Sequence, residues 1–176
     1  MKKVQNGHLG LSGLLFERYK KMLYGFFYNQ TSNVVMSEDL VQNTFYRVIK
    51  YKHHYRGDQQ FKAWIFTIAR NAMKDEFRKN KNKHQDIDLY KNHFVDSTAS
   101  DENLHQEDKQ NILQKALNQL SPEKKEILIL IKLNGKKYKE VADILGMNES
   151  TVKSKVFRAI KDLQTIYKKE AHQFKL

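Results

Sequence analysis

The sequence predicts an all-α protein: two small helical domains joined by a flexible linker, the second containing a helix-turn-helix. Three observations predict it. Apolar residues recur at three- and four-residue steps wherever the chain is clearly patterned, while strand signals are confined to brief β-branched pairs. Charge also divides the chain, with 16 Lys+Arg against 6 Asp+Glu in residues 1–85, 1 against 7 in 86–108, and 15 against 7 in 109–176. That alternation implies basic domains at 1–85 and 109–176 with an acidic connector at 86–108.

In the first domain, Leu11 to Asn29 carries a helical stripe of Leu14, Leu15, Tyr19, Met22, Leu23, Phe26 and Phe27, with Ser12 placed to cap it. Ser37 with Leu40 is the expected start of a second helix whose buried side is Val41, Thr44, Phe45, Val48 and Ile49. A third helix, Gln59 to Asn80, turns Phe61, Trp64, Ile65, Ile68, Ala69, Ala72 and Phe77 inward. Arg70, Lys74, Arg78, Lys79 and Lys81 lie at other angles.

In the second domain, Pro122 opens a helix. Tyr138, Val141, Ala142 and Leu145 then share one face of a short helix, which Gly146-Met147-Asn148 interrupts. Asn148 suits the cap of a following helix with Val152, Val156, Ala159, Ile160 and Leu163 inside. Two short amphipathic helices around a three-residue turn with Gly read as a helix-turn-helix. The outer face of the second holds Ser150, Thr151, Lys153, Ser154, Lys155 and Arg158. Hydroxyls and cations are the groups that reach base edges and phosphates from a major groove. The same pattern also fits a helical hairpin solvated by its lysines.

The chain of 176 residues has a net charge of +12, which fits a polyanionic partner such as nucleic acid or an anionic membrane surface. With no Cys there is no disulfide, thiol nucleophile or Cys-ligated zinc. MKKVQNGHLG is followed by no signal-peptide core, and runs such as Ile127 to Ile131 are too short to cross a bilayer, so the expected location is cytoplasmic. No phosphate-binding glycine loop, dinucleotide fingerprint, zinc-protease or nucleophile-elbow motif occurs. Glu38-Asp39 and Asp75-Glu76 are adjacent on helices and do not converge. The chain is therefore expected to be no enzyme, with no cofactor, metal or small-molecule substrate.

Tyr51 to Gln60, YKHHYRGDQQ, sets Tyr51, His53, His54, Tyr55 and Arg56 beside a cationic helix. Aromatic, imidazole and amide groups on a positive track suit splayed-out single-stranded bases. Composition alone favours a plainer role, tyrosines covering a hydrophobic edge. Adjacent loop histidines without a third ligand do not make a metal site.

Taken together, these stretches resemble a known family. Asp39-Leu40-Val41-Gln42-Asn43-Thr44-Phe45, Tyr55-Arg56-Gly57-Asp58, Phe61-Lys62-Ala63-Trp64-Ile65, Ile68-Ala69-Arg70-Asn71 and Asp75 with Arg78-Lys79 resemble region 2 of the extracytoplasmic-function (ECF) group of bacterial sigma-70 factors. Leu120-Ser121-Pro122, Tyr138-Lys139-Glu140-Val141-Ala142, Leu145-Gly146 and Thr151-Val152-Lys153-Ser154-Lys155 with Arg158-Ala159 resemble its region 4.

The resemblance implies a dissociable promoter-specificity subunit of bacterial RNA polymerase. By it, Asp39, Leu40, Val41, Gln42 and Phe45 match the contact with the clamp helices of the largest catalytic subunit of core polymerase. His54, Tyr55, Arg56, Gly57, Asp58, Gln59 and Gln60, with Asn71, Lys74, Asp75 and Arg78, match the surface that melts the −10 element and holds its single strand. Ser150, Thr151, Lys153, Ser154, Lys155 and Arg158 match the reader of −35 promoter DNA, in a domain that also docks on the β-subunit flap. The acidic connector matches the linker running toward the RNA exit path. The resemblance further implies a minimal sigma factor without region 1.1 or a folded region 3, of a kind often held by an anti-sigma factor.

The chain departs from the family at Lys137, where a small polar residue is usual, at Ser150 in place of Gly, and at Lys155 in place of Arg. The last loses a bidentate fork. The rival readings are a stand-alone helix-turn-helix regulator of duplex DNA and a polybasic membrane-surface protein, and no helix has the wide apolar face that the latter needs.

Overall fold

The computed structural model of the chain describes residues 1–57, 60–83, 101–133 and 135–173. Every regular element among them is helical, and the chain divides into two compact units, one dominated by the helices of each half. Asp58, Gln59 and residues 84–100, which include most of the expected connector at 86–108, lie outside the described residues.

The first unit begins with a single helical turn, α1 (Lys2–Gln5), and a 3-10 turn, Leu9–Leu11. Three long helices follow: α2 (Ser12–Thr31), α3 (Val34–Lys50) and α4 (Phe61–Lys83). Helix α2 packs on α3, and α3 on α4. The core is aromatic and aliphatic, with Leu23, Phe26, Phe27, Ile65, Phe66, Ala69 and Ala72 wholly excluded from solvent. Phe26 meets Phe66 edge-on at 5.4 Å, joining α2 to α4, and Phe16 meets Phe45 at 4.9 Å, joining α2 to α3.

Helix boundaries follow backbone chemistry rather than the expected caps. Ser12 is the first helical residue of α2, and the capping position is Leu11, with no side-chain bond. Helix α2 stops where Ser32 takes a left-handed backbone, φ 53°, its N–H donating to the Tyr28 carbonyl. That sharp stop lets α3 begin at once. Asn33 caps it, Oδ1 accepting from the Met36 N–H at 2.9 Å, a full turn before the Ser37 start read from sequence. Ser37 is instead buried inside the helix, its hydroxyl donating to the Asn33 carbonyl.

Burial also departs from single stripes. Leu14 is 68% exposed and Phe77 44%, although helical spacing places both on the inward stripes. On α4, Ala63, Phe66 and Met73 are buried beyond the predicted set, since α4 faces both α3 and, through Phe66, α2.

The second half of the chain forms α5 (Asp101–Gln119), α6 (Pro122–Leu128) running on into a π-helical turn at Ile129–Leu133, α7 (Tyr138–Leu145) and the long α8 (Glu149–Gln173). Helix α5 starts at Asp101, so residues 101–108 are helical although their charge reads as connector. Acidic residues are favourable in a first helical turn, which is why charge did not mark the boundary. Pro122 stands at the start of α6, where its missing N–H costs nothing. Helix α8 packs against α5 and α6 over a core that includes Ile112, Ala116, Ile127, Val152, Val156 and Ala159.

The turn between α7 and α8 is built as its residues predict. Gly146 takes φ 67°, open to glycine at little cost, and the Met147 N–H closes on the Ala142 carbonyl at 3.0 Å. Asn148 Oδ1 then accepts from the Thr151 N–H at 2.7 Å, capping α8. Tyr138, expected inside, is 36% exposed at the start of α7.

Among the described residues, three charged ones, Lys125, Glu126 and Lys136, are buried in this half of the chain, and the first has a consequence for stability. Lys125 is 8% exposed and donates to Asn118 Oδ1 at 2.8 Å, and burial pushes its ammonium down to about 8. Unfolded, the amine holds its proton up to the ordinary value of 10.5, so between these values the unfolded chain binds more protons and stability rises with pH. We expect calorimetric melting at about pH 8 and about pH 10 to show a relative gain for the wild type over Lys125→Met at the higher pH. Parallel shifts in the two proteins would show that Lys125 is not the group responsible.

Candidate functional site

Three exposed faces carry the residues singled out in the sequence. The first lies on α3. Asp39 and Gln42 point to solvent, whereas Leu40, Val41 and Phe45 are 1%, 5% and 9% exposed and belong to the core. A groove of about 360 Å³ opens beside them between α2 and α3, lined by Phe16, Lys20, Lys21, Tyr24, Glu38, Val41 and Gln42. Two of the five residues are thus free to touch a partner, and Val41 forms part of the groove wall. Leu40 and Phe45 act by holding the helix in place.

The second face joins the loop after α3 to the outer side of α4. A 3-10 turn, Lys52–His54, leads out of α3, with His53, His54, Arg56, Gly57 and Gln60 exposed. The Tyr55 ring turns inward, 5.2 Å from Trp64 and 5.7 Å from Phe61, which in turn meets Tyr19 at 5.2 Å. Tyr55 therefore has the packing role that composition favours. Tyr51 remains outside, 42% exposed and in a T-shaped pair with the His54 ring, and Lys50 Nζ sits 5.5 Å from the Tyr51 ring and 6.0 Å from that of Tyr46. This aromatic and cationic cluster includes Tyr46 and Lys50, which sequence reasoning passed over because they continue a helix. Asn71, Lys74 and Arg78 are exposed on α4.

Asp75 is occupied within the fold. Arg47 Nη1 donates to one of its oxygens at 2.7 Å and Arg78 Nη2 to the other at 2.8 Å. The bond from Arg47, with the nearby positive charges, holds the Asp75 carboxyl below its ordinary range. Its first task is to tie α3 to α4.

The third face is the start of α8. Ser150, Lys153, Ser154 and Arg158 are exposed, Thr151 and Lys155 half-buried, while Val152, Val156 and Ala159 on the opposite side are inaccessible. Ser150 Oγ donates to the capping Asn148 side chain at 2.8 Å. Lys153 pairs with Glu149 at 2.9 Å, which raises its pKa, and lies 5.8 Å from the Tyr138 ring. Lys155 reaches across to Glu123 of α6 at 2.6 Å, a partner that no sequence spacing announces. Among the described residues no group of three or more His, Cys, Asp or Glu is placed to hold a metal ion.

Comparison with known proteins places these faces in context. The Sigma-70 region 2 family matches residues 15–83, and the Sigma-70 region 4 family residues 110–163. The ECF RNA polymerase sigma factor SigM of Bacillus subtilis is 32% identical over 155 residues, covering 87% of this chain and 93% of SigM. This chain belongs to the ECF sigma factors. The B. subtilis sigma factor SigX is 30% identical over 156 residues, 86% of this chain and 80% of its own length.

Among solved structures, the sigma factor RpoE of Bartonella quintana, in complex with the anti-sigma factor NepR, superposes with a TM-score of 0.68 at 29% identity, covering 96% of this chain and 98% of that one. CnrH, solved with the cytosolic domain of CnrY, shares the fold at 21% identity with a TM-score of 0.72, over 94% and 92% of the two chains. As an ECF sigma factor the chain is an alternative sigma factor, a transcription factor rather than an enzyme. No helix among the described residues is long and apolar enough to cross a membrane.

The double pairing of Asp75 has a measurable consequence. Asp75→Ala should lower the stability of the first unit by about 0.5 kcal/mol, the scale of partly exposed ion pairs. Because the carboxyl is held below its ordinary 3.8, that contribution is present above this value and disappears as pH falls below it. Melts of both proteins should therefore differ near neutrality and converge in acid; a constant gap would exclude the ion pair as its origin.

Proposed function

We propose that this sigma factor divides promoter recognition among the three faces. Asp39, Gln42 and the groove between α2 and α3 receive the clamp helices of core RNA polymerase, on a helix positioned by Leu40, Val41 and Phe45. Exposed residues Tyr51, His53, His54 and Arg56, with Asn71, Lys74 and Arg78 of α4, receive the opened strand of the −10 element. The first turns of α8 enter the major groove of the −35 element, with the same unit meeting the β-subunit flap. The observation that carries this reading is the polarity of α8: its cap and hydroxyl-cation side are exposed while Val152, Val156 and Ala159 opposite are sealed in the core. A helix fixed on one side and cationic on the other is the form that a groove accepts.

An anti-sigma factor is the regulatory partner we propose, supported by the likeness to the B. quintana sigma factor solved with one. The family test is run-off transcription from genomic fragments with purified core polymerase, wild-type protein giving discrete starts that core alone does not. Asp39→Arg should lose association with core polymerase and run-off product without loss of helicity, because Asp39 is exposed and its reversal leaves the core intact. Undiminished pull-down of core subunits would remove Asp39 from the docking face.

Within α8, position along the helix separates reading from anchoring. Lys153→Ala should change which −35 bases are preferred, reducing discrimination at an affected base pair by about 1–3 kcal/mol. Arg158 lies two turns in, so Arg158→Ala should weaken all promoters alike and lower the salt slope by about one unit, the share of one phosphate. Holoenzyme binding to a library randomised at the −35 element, repeated at several salt concentrations, checks both. The reverse pattern would exchange the two roles.

A further inference from the structure

Residues 1–11 lie ahead of the part of the chain that matches the region 2 family, yet they are built into the single-strand loop. Val4 is 1% exposed, which anchors the α1 turn to the first unit. From the next position, Gln5 Nε2 donates to the carbonyls of Lys52 and Tyr55, each at 2.8 Å. Both partners are acceptors only, so the amide nitrogen has to face them, and its two hydrogens serve one carbonyl each.

Those carbonyls bracket the 3-10 turn: Lys52 begins it, and the Tyr55 N–H closes on the Lys52 carbonyl at 3.2 Å. The Gln5 amide thus spans the turn from outside while the Tyr55 ring holds it from inside through Trp64. Lys2 lies across Gly57, where a Cβ would collide with its side chain, so its charge stands beside Gly57.

We propose that the N-terminal turn is a brace for the strand-capturing loop and that Gln5 is a positioning residue for promoter opening. The proposal rests on the loop receiving −10 DNA. A loop held ready before DNA arrives spends no binding free energy on its own ordering, and that saving matters where base pairs have to be broken. On a template already open, the same loop has less to overcome.

The test uses Gln5→Glu, nearly the same shape but with a carboxylate facing the two carbonyls, and Gln5→Met, which removes the donors without adding charge. Fluorescence of Trp64, the chain's single tryptophan, reports the loop in the free protein through its contact with Tyr55. Open-complex yield with core polymerase is then measured on a duplex promoter and on one mismatched across the −10 region. Both variants should keep wild-type core affinity and alter Trp64 emission. Their yield on the duplex should fall about tenfold, the scale of two lost neutral hydrogen bonds, with a much smaller fall on the mismatched template. Unchanged emission, or equal losses on both templates, would overturn the brace. If wild-type holoenzyme opens no promoter at all, the assignment of the loop to −10 DNA fails instead, and the Trp64 signal still reports whether Gln5 holds the turn.

Discussion

Ring-to-ring packing is the constraint on which the first unit depends. Phe26 against Phe66 fixes α2 on α4, Phe16 against Phe45 fixes α2 on α3, and the chain Tyr19–Phe61–Tyr55–Trp64 extends the same seam to the loop. Edge-on aromatic pairs contribute about 0.5–1.5 kcal/mol each beyond area burial, and they also fix orientation. Orientation is the more important effect here. The exposed residues Arg56, Lys74 and Arg78 stand on helices and a loop that share one aromatic core, and the bonds of Asp75 and Gln5 add polar ties to that packing.

A strongly basic chain also has to keep its cations from repelling one another before a polyanion arrives. Several are held by carboxylates: Lys155 by Glu123, Lys153 by Glu149, Lys124 by Asp162, and both Arg47 and Arg78 by Asp75. Surface pairs of this kind contribute at most about 1 kcal/mol each, so a phosphate can displace the carboxylate at small cost. The pairs lower the mutual repulsion of the cations within the folded chain.

The helix-turn-helix was legible in the sequence because its signals are local. Asn148 caps, Gly146 turns, and Val152, Val156 and Ala159 keep strict helical spacing, all within one short stretch. The α3 start was misplaced because Ser37 and Leu40 imitate a capping sequence one turn downstream of the true cap, Asn33, whose advantage lies in the backbone of Ser32. Phe66 and Met73 were missed because a helix between two neighbours buries more than one stripe. The pairing of Lys155 with Glu123 and the reach of Gln5 to Lys52 and Tyr55 cross 32 to 50 positions of chain, distances at which periodicity says nothing. Family resemblance marked where the loop is and carried no sign of what holds it.

Helix α8 is longer than a groove-reading element requires. The region 4 match ends at residue 163, but the helix continues to Gln173, where Gln119 of α5 bonds Glu170 at 2.7 Å. Its 25 residues make a rod of ~37 Å without a single glycine or proline, the residues at which helices bend. Such a rod works as a mechanical linkage. Whatever moves α5 moves the far end of α8 and with it the helix start that carries Ser150 and Lys153, since α8 has no joint to absorb the displacement.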